Sequence, residues 1–225
     1  MNVLPPMEDT KKWYDRISRY YDILAWNSEK PVILAAVRML DAKPGETILE
    51  TGYGTGHAAI ALADTIGQGK IHGIDISGGM YRIAQAAIER EGLGDRVMLT
   101  QGDARSLPYA DRSFHAIFMS FTLKLFSGDG MRVVLRECRR VLAPGGRVCI
   151  ASLEKTQHPG LAERMYEWLH RLFPVYFDCR PIPLAQIMEQ AGFRITQGNE
   201  LHLWGLPVKI VCAVRMTEAE SRDEG

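Results

Sequence analysis

The stretch Glu50-Thr51-Gly52-Tyr53-Gly54-Thr55-Gly56 sets glycines at alternate positions directly behind an acidic residue. Glycine is needed where the backbone turns with positive φ, or where a ligand approaches too closely for a Cβ. A dinucleotide-binding turn would read G-x-G-x-x-G, with a pyrophosphate lying on the helix that follows. In this chain His57 stands where that last glycine would be. A glycine turn preceded by a carboxylate suits instead a ligand with a cationic amino-acid group. Two further carboxylates extend the pattern. Asp75, in Gly73-Ile74-Asp75-Ile76-Ser77, can accept hydrogen bonds from the vicinal hydroxyls of a ribose. Its alternative reading is a helix cap, a task Ser77 can take over. Asp103, in Gly102-Asp103-Ala104, can accept from the exocyclic amine of adenine, with Ile76 and Met80 as apolar walls. Its alternative reading is a capping aspartate in a loop.

The elements that must position these residues alternate in type. Short apolar runs at Thr47–Glu50, Lys70–Ile76, Val97–Gln101, Ala116–Ser120 and Arg147–Leu153 read as strands. Between them, His57–Ala63, Gly79–Glu91 and Met131–Leu142 read as helices, and Pro144-Gly145-Gly146 as a turn. Strand–helix alternation predicts a doubly wound, mostly parallel α/β sheet with its ligands at the carboxyl ends of the strands. A last unit combines a helix over Leu184–Ala191, Gly192 as its C-terminal stop, and strands near Phe193–Thr196 and Val208–Arg215. Residues 1–43 read as a helical cap of two helices, the second starting near Pro31. Residues 44–215 read as the α/β domain, 154–180 as a helical lid inserted into it, and 216–225 as a frayed tail.

Composition narrows the function classes. With 46% hydrophobic and 24% charged residues the chain is of globular type. Its 27 basic residues balance 27 acidic ones, which disfavours a nucleic-acid partner, since phosphate binding draws on a positive excess. The cysteines Cys138, Cys149, Cys179 and Cys212 form no C-x-x-C pair, so neither zinc nor a disulfide framework is indicated, and buried free thiols are expected. No signal peptide is evident, and the apolar runs fall short of the ~20 residues that span a bilayer. A cytoplasmic protein is expected, with peripheral membrane contact left open.

From Thr47 to Leu153 these motifs, with Leu142-Ala143-Pro144-Gly145-Gly146-Arg147, resemble the class I S-adenosylmethionine-dependent methyltransferases of type 11. The Tyr-Asp elements near Tyr14 and Tyr21, and Glu189-Gln190-Ala191-Gly192-Phe193, are similar to the subgroup that includes ubiquinone and menaquinone biosynthesis C-methyltransferases. The resemblance implies a Rossmann-like, mostly parallel seven-stranded sheet whose last strand is antiparallel. It also implies S-adenosyl-L-methionine as cofactor and a small-molecule methyl acceptor, quinone-like or lipid-like. Glu50 with Gly52, Tyr53, Gly54 and Gly56 would hold the methionine moiety, and Asp75 the ribose. Asp103 and Ala104 would hold the adenine, with Ile76 and Met80 as its walls. Ser120 would line the floor near the methyl group, with Tyr21 a further cofactor contact. Thr51 and Tyr53 depart from the small residues usual in the glycine motif, and Ser120–Lys124 lacks the asparagine-rich run of the quinone enzymes.

Methyl transfer from a sulfonium needs in-line positioning more than an enzyme nucleophile, so no catalytic base is assigned. Tyr20, Lys124, His158 and Arg180 are the candidates near an acceptor. Against that role, Tyr20 reads as packing, His158 as a loop residue, Lys124 and Arg180 as solvated charges, and Arg136–Arg140 as a wet helix face. A non-catalytic S-adenosylmethionine-binding protein and a nucleotide-cofactor oxidoreductase are the alternative classes.

Overall fold

The computed structural model describes residues 28–155 and 181–216. A helix over residues 28–40 (α1) leads into strand β1, Thr47–Thr51. Then follow α2 (His57–Thr65), β2 (Lys70–Asp75), α3 (Gly78–Arg90), β3 (Val97–Gln101) and β4 (Phe114–Ser120). A single 3₁₀ turn at Leu123–Leu125 precedes α4 (Gly128–Val141), β5 (Leu142–Leu153), α5 (Leu184–Gln190), β6 (Phe193–Leu203) and β7 (Leu206–Arg215).

The strands form one seven-stranded sheet in the order β3-β2-β1-β4-β5-β7-β6. β1 to β5 pair in parallel, and β7 runs antiparallel to both β5 and β6. Central strands are covered on both faces, which is why β1 is apolar without alternation: Ile48 and Leu49 are both fully buried. Ile48 joins a core with α1, α2 and Ile88 of α3. Leu49 joins the opposite core, with Met131, Val134, Leu135, Cys138 and Val141 of α4 and Leu184 and Met188 of α5.

Local chemistry sets the helix ends. The Ser77 hydroxyl accepts from the Met80 amide and starts α3, and Ser127 accepts from the Gly130 amide and starts α4. Gly192, at φ 80°, follows α5 where a left-handed residue ends a helix. Two spans differ from the sequence reading. β5 begins at Leu142, which pairs with Phe114, and the register shifts before Ala116 meets Arg147. The Pro144-Gly145-Gly146 segment is therefore an irregularity within β5 rather than a separate turn. β6 runs on to Leu203 because Trp204 and Gly205, at φ 52° and 77°, close a tight hairpin with β7. The first N-terminal helix, residues 156–180 of the lid, and the frayed tail apart from Met216 lie outside the described residues. Among the described residues no helix is long and apolar enough to cross a membrane.

One arginine joins α1 to the sheet. Arg147 donates to the carbonyls of Leu40 and Asp41 at 2.6 and 2.8 Å, and to both oxygens of Glu46 at 2.9 and 2.6 Å. Removing a side chain bonded to a part-buried carboxylate and a part-buried carbonyl leaves those groups unsatisfied. Arg147→Ala is expected to cost about 2–3 kcal/mol of stability. Urea unfolding checks this: the midpoint should fall with little change in slope, and an unmoved midpoint would show that the arginine ties down nothing.

Candidate cofactor site

β1 lies where the strand order reverses, with β2 on one side and β4 on the other. In open α/β sheets the crevice at such a point, beyond the carboxyl ends of the strands, is where ligands bind. Glu50 and Thr51 end β1, and the chain then folds through three left-handed glycines: Gly52, Gly54 and Gly56, at φ 72°, 52° and 87°. Each has a separate reason to lack a side chain. A Cβ on Gly52 would come within 2.1 Å of the Thr122 hydroxyl oxygen. One on Gly56 would press on Ala84 of α3 at 3.1 Å, so this glycine lets α2 and α3 approach. One on Gly54 would meet nothing within 4 Å, which leaves that backbone bare toward open space.

Asp75 ties the loop to β2. One carboxylate oxygen accepts from the Gly54 amide at 2.9 Å, and the other accepts from the Ser77 amide at 2.9 Å. Ser77 does cap α3, as its type suggests, but that does not release Asp75 from backbone bonding. A carboxylate has about four lone-pair directions, so acceptor capacity for ribose hydroxyls stays compatible with this anchoring.

Glu50 is 1% exposed, and its Oε2 has no hydrogen-bond partner among the described residues. Burial, reinforced by the negative charge of Asp75, holds its carboxyl well above the usual carboxylate range. Such a group is stabilised by a cation placed against it. In the unliganded protein, raising the pH past the ordinary carboxylate range must therefore erode stability, since the folded state keeps a proton that the unfolded chain gives up. Binding a ligand ammonium reverses the preference and expels that proton. Affinity for an amino-acid cation should accordingly rise with pH until the raised value is passed. Calorimetry just above the ordinary carboxylate range, in buffers of different ionisation heat, is expected to show proton release that disappears in Glu50→Gln. Identical heats in all buffers would rule out this linkage.

The sequence-predicted residues are distributed unevenly around the crevice. Tyr53 and Met80 are buried together with Ala84, so Met80 packs in a small core rather than standing as an open wall. Ile76, at 36% exposure, is the accessible apolar side chain next to Asp75. Burial, then the charges of Asp75 and Glu50 among its neighbours, raises the Tyr53 hydroxyl, which has no partner among the described residues. Asp103 follows β3 by two residues. Its carboxylate is held by the Arg105 side chain at 2.6–3.1 Å and by the Arg105 amide at 2.9 Å. Ala104 is buried behind it, in the α4 core. Arg140 of α4 grips the same loop through the carbonyls of Leu107 and Tyr109 and the carboxylate of Asp111, while Glu137 accepts from the Leu107 amide. The Arg136–Arg140 run is thus partly a structural clamp and not simply a wet face. Ser120 ends β4, and its carbonyl accepts from the Thr122 hydroxyl at 2.9 Å.

Several participants have no distinctive sequence signal. Phe121 takes φ 53°, an uncommon conformation for a bulky residue, and this bend lays Thr122 against Gly52. Lys124 is 3% exposed, with its ammonium 4.7 Å from the centre of the Phe121 ring. The reading of Lys124 as a solvated charge is therefore wrong. Burial pushes the Glu29 carboxyl of α1 up while the charge of Lys124 opposes that shift, which brings these two charges into electrostatic reach. Only spatial neighbours could have revealed that pairing. Tyr20, Tyr21, His158, Cys179 and Arg180 lie outside the described residues. Among the described residues no cluster of three or more side chains could hold a metal.

Comparison with known proteins adds ancestry to this geometry. Residues 48–146 match the model of a methyltransferase domain. The chain is 32% identical over 219 residues to the ubiquinone/menaquinone biosynthesis C-methyltransferase UbiE of Syntrophotalea carbinolica, covering 87% of this chain and 90% of that one. It belongs to the class I S-adenosylmethionine-dependent methyltransferases. The demethylmenaquinone methyltransferase of Desulfitobacterium hafniense is 30% identical over 167 residues, and the match spans 72% of this chain and 65% of that protein. In fold, this methyltransferase chain resembles the [4+2]-cyclase SpnF, with a TM-score of 0.78, 19% identity, and coverage of 96% of this chain and 98% of that one. It also resembles a Bacillus halodurans methyltransferase structure, with a TM-score of 0.71, 17% identity, and coverage of 82% and 99%. These two likenesses concern architecture alone, and a cyclase among them shows why the reaction must be argued from the site.

S-adenosyl-L-methionine is the cofactor of this family, and the residues present fit it. The buried, unpartnered Glu50 oxygen suits the methionine ammonium, the bare face at Gly54 admits a ligand against the backbone, and Asp75 stands next to the exposed apolar side chain of Ile76.

Proposed function

We propose that the protein transfers a methyl group from S-adenosyl-L-methionine to a small, quinone-like or lipid-like acceptor. The observation that carries this reading is the Glu50 carboxylate oxygen, buried without a hydrogen-bond partner beside the glycine loop and in the field of Asp75. A fold needing only a structural turn gains nothing from an unpaired carboxyl there, because such a group costs stability unless a ligand satisfies it.

When bound, the sulfonium supplies an electrophilic methyl group, and the side chains act by placement. Glu50 holds the ammonium. The α2 N-terminus has no side-chain cap, and its positive dipole end suits a carboxylate. Asp75 fixes the ribose, and Asp103, braced by Arg105, lies beside the adenine. Ile76 covers the ring edge and Ser120 lines the floor near the methyl group. Orientation of this kind can supply about 7–11 kcal/mol of barrier lowering. The names of the similar curated enzymes favour a quinone ring carbon as acceptor. In that case a ring proton must leave as the new carbon–carbon bond forms.

The test pairs the purified chain with S-adenosylmethionine and a demethylated naphthoquinol kept reduced. A product heavier by one CH₂, formed in equal amount to S-adenosylhomocysteine, is the expected result. Tight cofactor binding with no S-adenosylhomocysteine from any small acceptor would identify a non-catalytic binder instead.

A further inference from the structure

Cys149 on β5 and Cys212 on β7 stand directly opposite each other in the antiparallel pairing. Both are buried, at 0% and 5% exposure, and both side chains enter the core that faces α1 and α2. Their sulfur atoms are 2.7 Å apart. That is well inside the roughly 3.5–4.0 Å separation preferred by unbonded carbon atoms, which are smaller than sulfur. Directly opposed residues of an antiparallel pair have Cα atoms roughly 4.5–5.5 Å apart, within the range that a disulfide spans without moving backbone.

We propose that Cys149 and Cys212 form a cross-strand redox couple, closed to a disulfide by a hydroperoxide. Cys212, the slightly more accessible thiol, loses its proton and its sulfur attacks the peroxide. The O–O bond breaks, an alcohol or water leaves, and a sulfenic acid remains. The Cys149 sulfur then attacks the Cys212 sulfur, the S–O bond breaks, water departs, and the S–S bond forms. Two electrons pass from the thiols to the peroxide. Cys149 takes the second role because its sulfur already lies against that of Cys212, while the hydrogen bond with Cys212 and burial push its own thiol up and disfavour it as the first attacker. Its contact with the Ala36 carbonyl at 3.5 Å makes the thiol a donor to α1, a bond the disulfide would end. Oxidation would thus fasten β7 to β5 while releasing one tie to the helix over the sheet. Cys138 gives an internal control: it is fully buried in α4, and burial first, then the charge of Glu137, pushes its thiol up to about 12.

The full chain, reduced and then treated with tert-butyl hydroperoxide, is analysed by mass under denaturing, non-reducing conditions. The expected product is lighter by two hydrogens, yields a linked peptide pair containing Cys149 and Cys212, and leaves Cys138 free to alkylate after unfolding. Its unfolding midpoint should rise by several degrees, because the link constrains the unfolded chain. Cys212→Ser should lose both the link and the shift. Recovery of Cys149 and Cys212 as separately alkylated thiols, or a link of either to Cys179, overturns the proposal. The wild-type peptide map alone decides the matter if the serine variant does not fold.

Discussion

Asp75→Ala is expected to weaken S-adenosylmethionine binding by more than tenfold. The carboxylate is assigned two charge-assisted hydrogen bonds to the ribose, each of a kind that contributes about 1.5–3 kcal/mol, and about 1.4 kcal/mol already corresponds to tenfold. The loss reaches beyond the ligand, because the Gly54 and Ser77 amides both donate to this side chain at 2.9 Å. Without it the glycine loop loses its tether to β2. One effect runs the other way: Glu50 is freed from a like charge, so its carboxyl ionises more readily against an ammonium. That gain is smaller, since burial is the first cause of the Glu50 shift. Asp75→Asn should be nearly as damaging, because its amide group would face an N–H donor at one of the two backbone contacts. Titration calorimetry decides the matter, and an unchanged affinity in Asp75→Ala would remove this residue from the cofactor site.

The second large effect is expected from Gly52→Ala. The new methyl carbon would lie 2.1 Å from the Thr122 hydroxyl oxygen, 2.5 Å from its methyl and 2.8 Å from its Cβ. The backbone would also hold alanine at φ 72°. Left-handed backbone costs an L-residue about 1–2 kcal/mol, and overpacking adds about 1–3 kcal/mol more. A stability loss near 3 kcal/mol is expected, together with loss of cofactor binding as the β1 and β4 ends are forced apart. Gly54→Ala is the useful contrast. Its Cβ meets nothing within 4 Å, so stability should fall only by the backbone cost of about 1–2 kcal/mol, while binding suffers because the methyl enters the space given to the ligand. Chemical unfolding of both variants separates the cases. Equal stability of the two would mean that Gly52 and Thr122 do not touch in solution.

How much of this was legible in the chain depends on the distance over which each decision was made. Strand–helix alternation, the glycine turn and the spacing of Glu50 and Asp75 are local patterns. Burial of both sheet faces demands apolar runs, and a left-handed turn demands glycine, so one-dimensional order was enough to predict the sheet class, five parallel strands and a glycine turn at the carboxyl end of the first of them. Strand limits were less legible where long-range pairing set them. β5 takes up Leu142 only because Phe114 lies alongside, and β6 extends to Leu203 only because the Trp204-Gly205 hairpin returns β7 beside it.

Residue types alone determined that a carboxylate, three flexible glycines and a second carboxylate would meet at neighbouring strand ends, because parallel strands bring their carboxyl ends to one edge. The tertiary structure decided which charges are wet and which are not. Lys124 is buried within reach of Glu29, Arg147 is held against Glu46, and Cys149 is set against Cys212 across the sheet. Burial and the approach of distant residues depend on how the whole chain packs, and no short window of sequence carries that information.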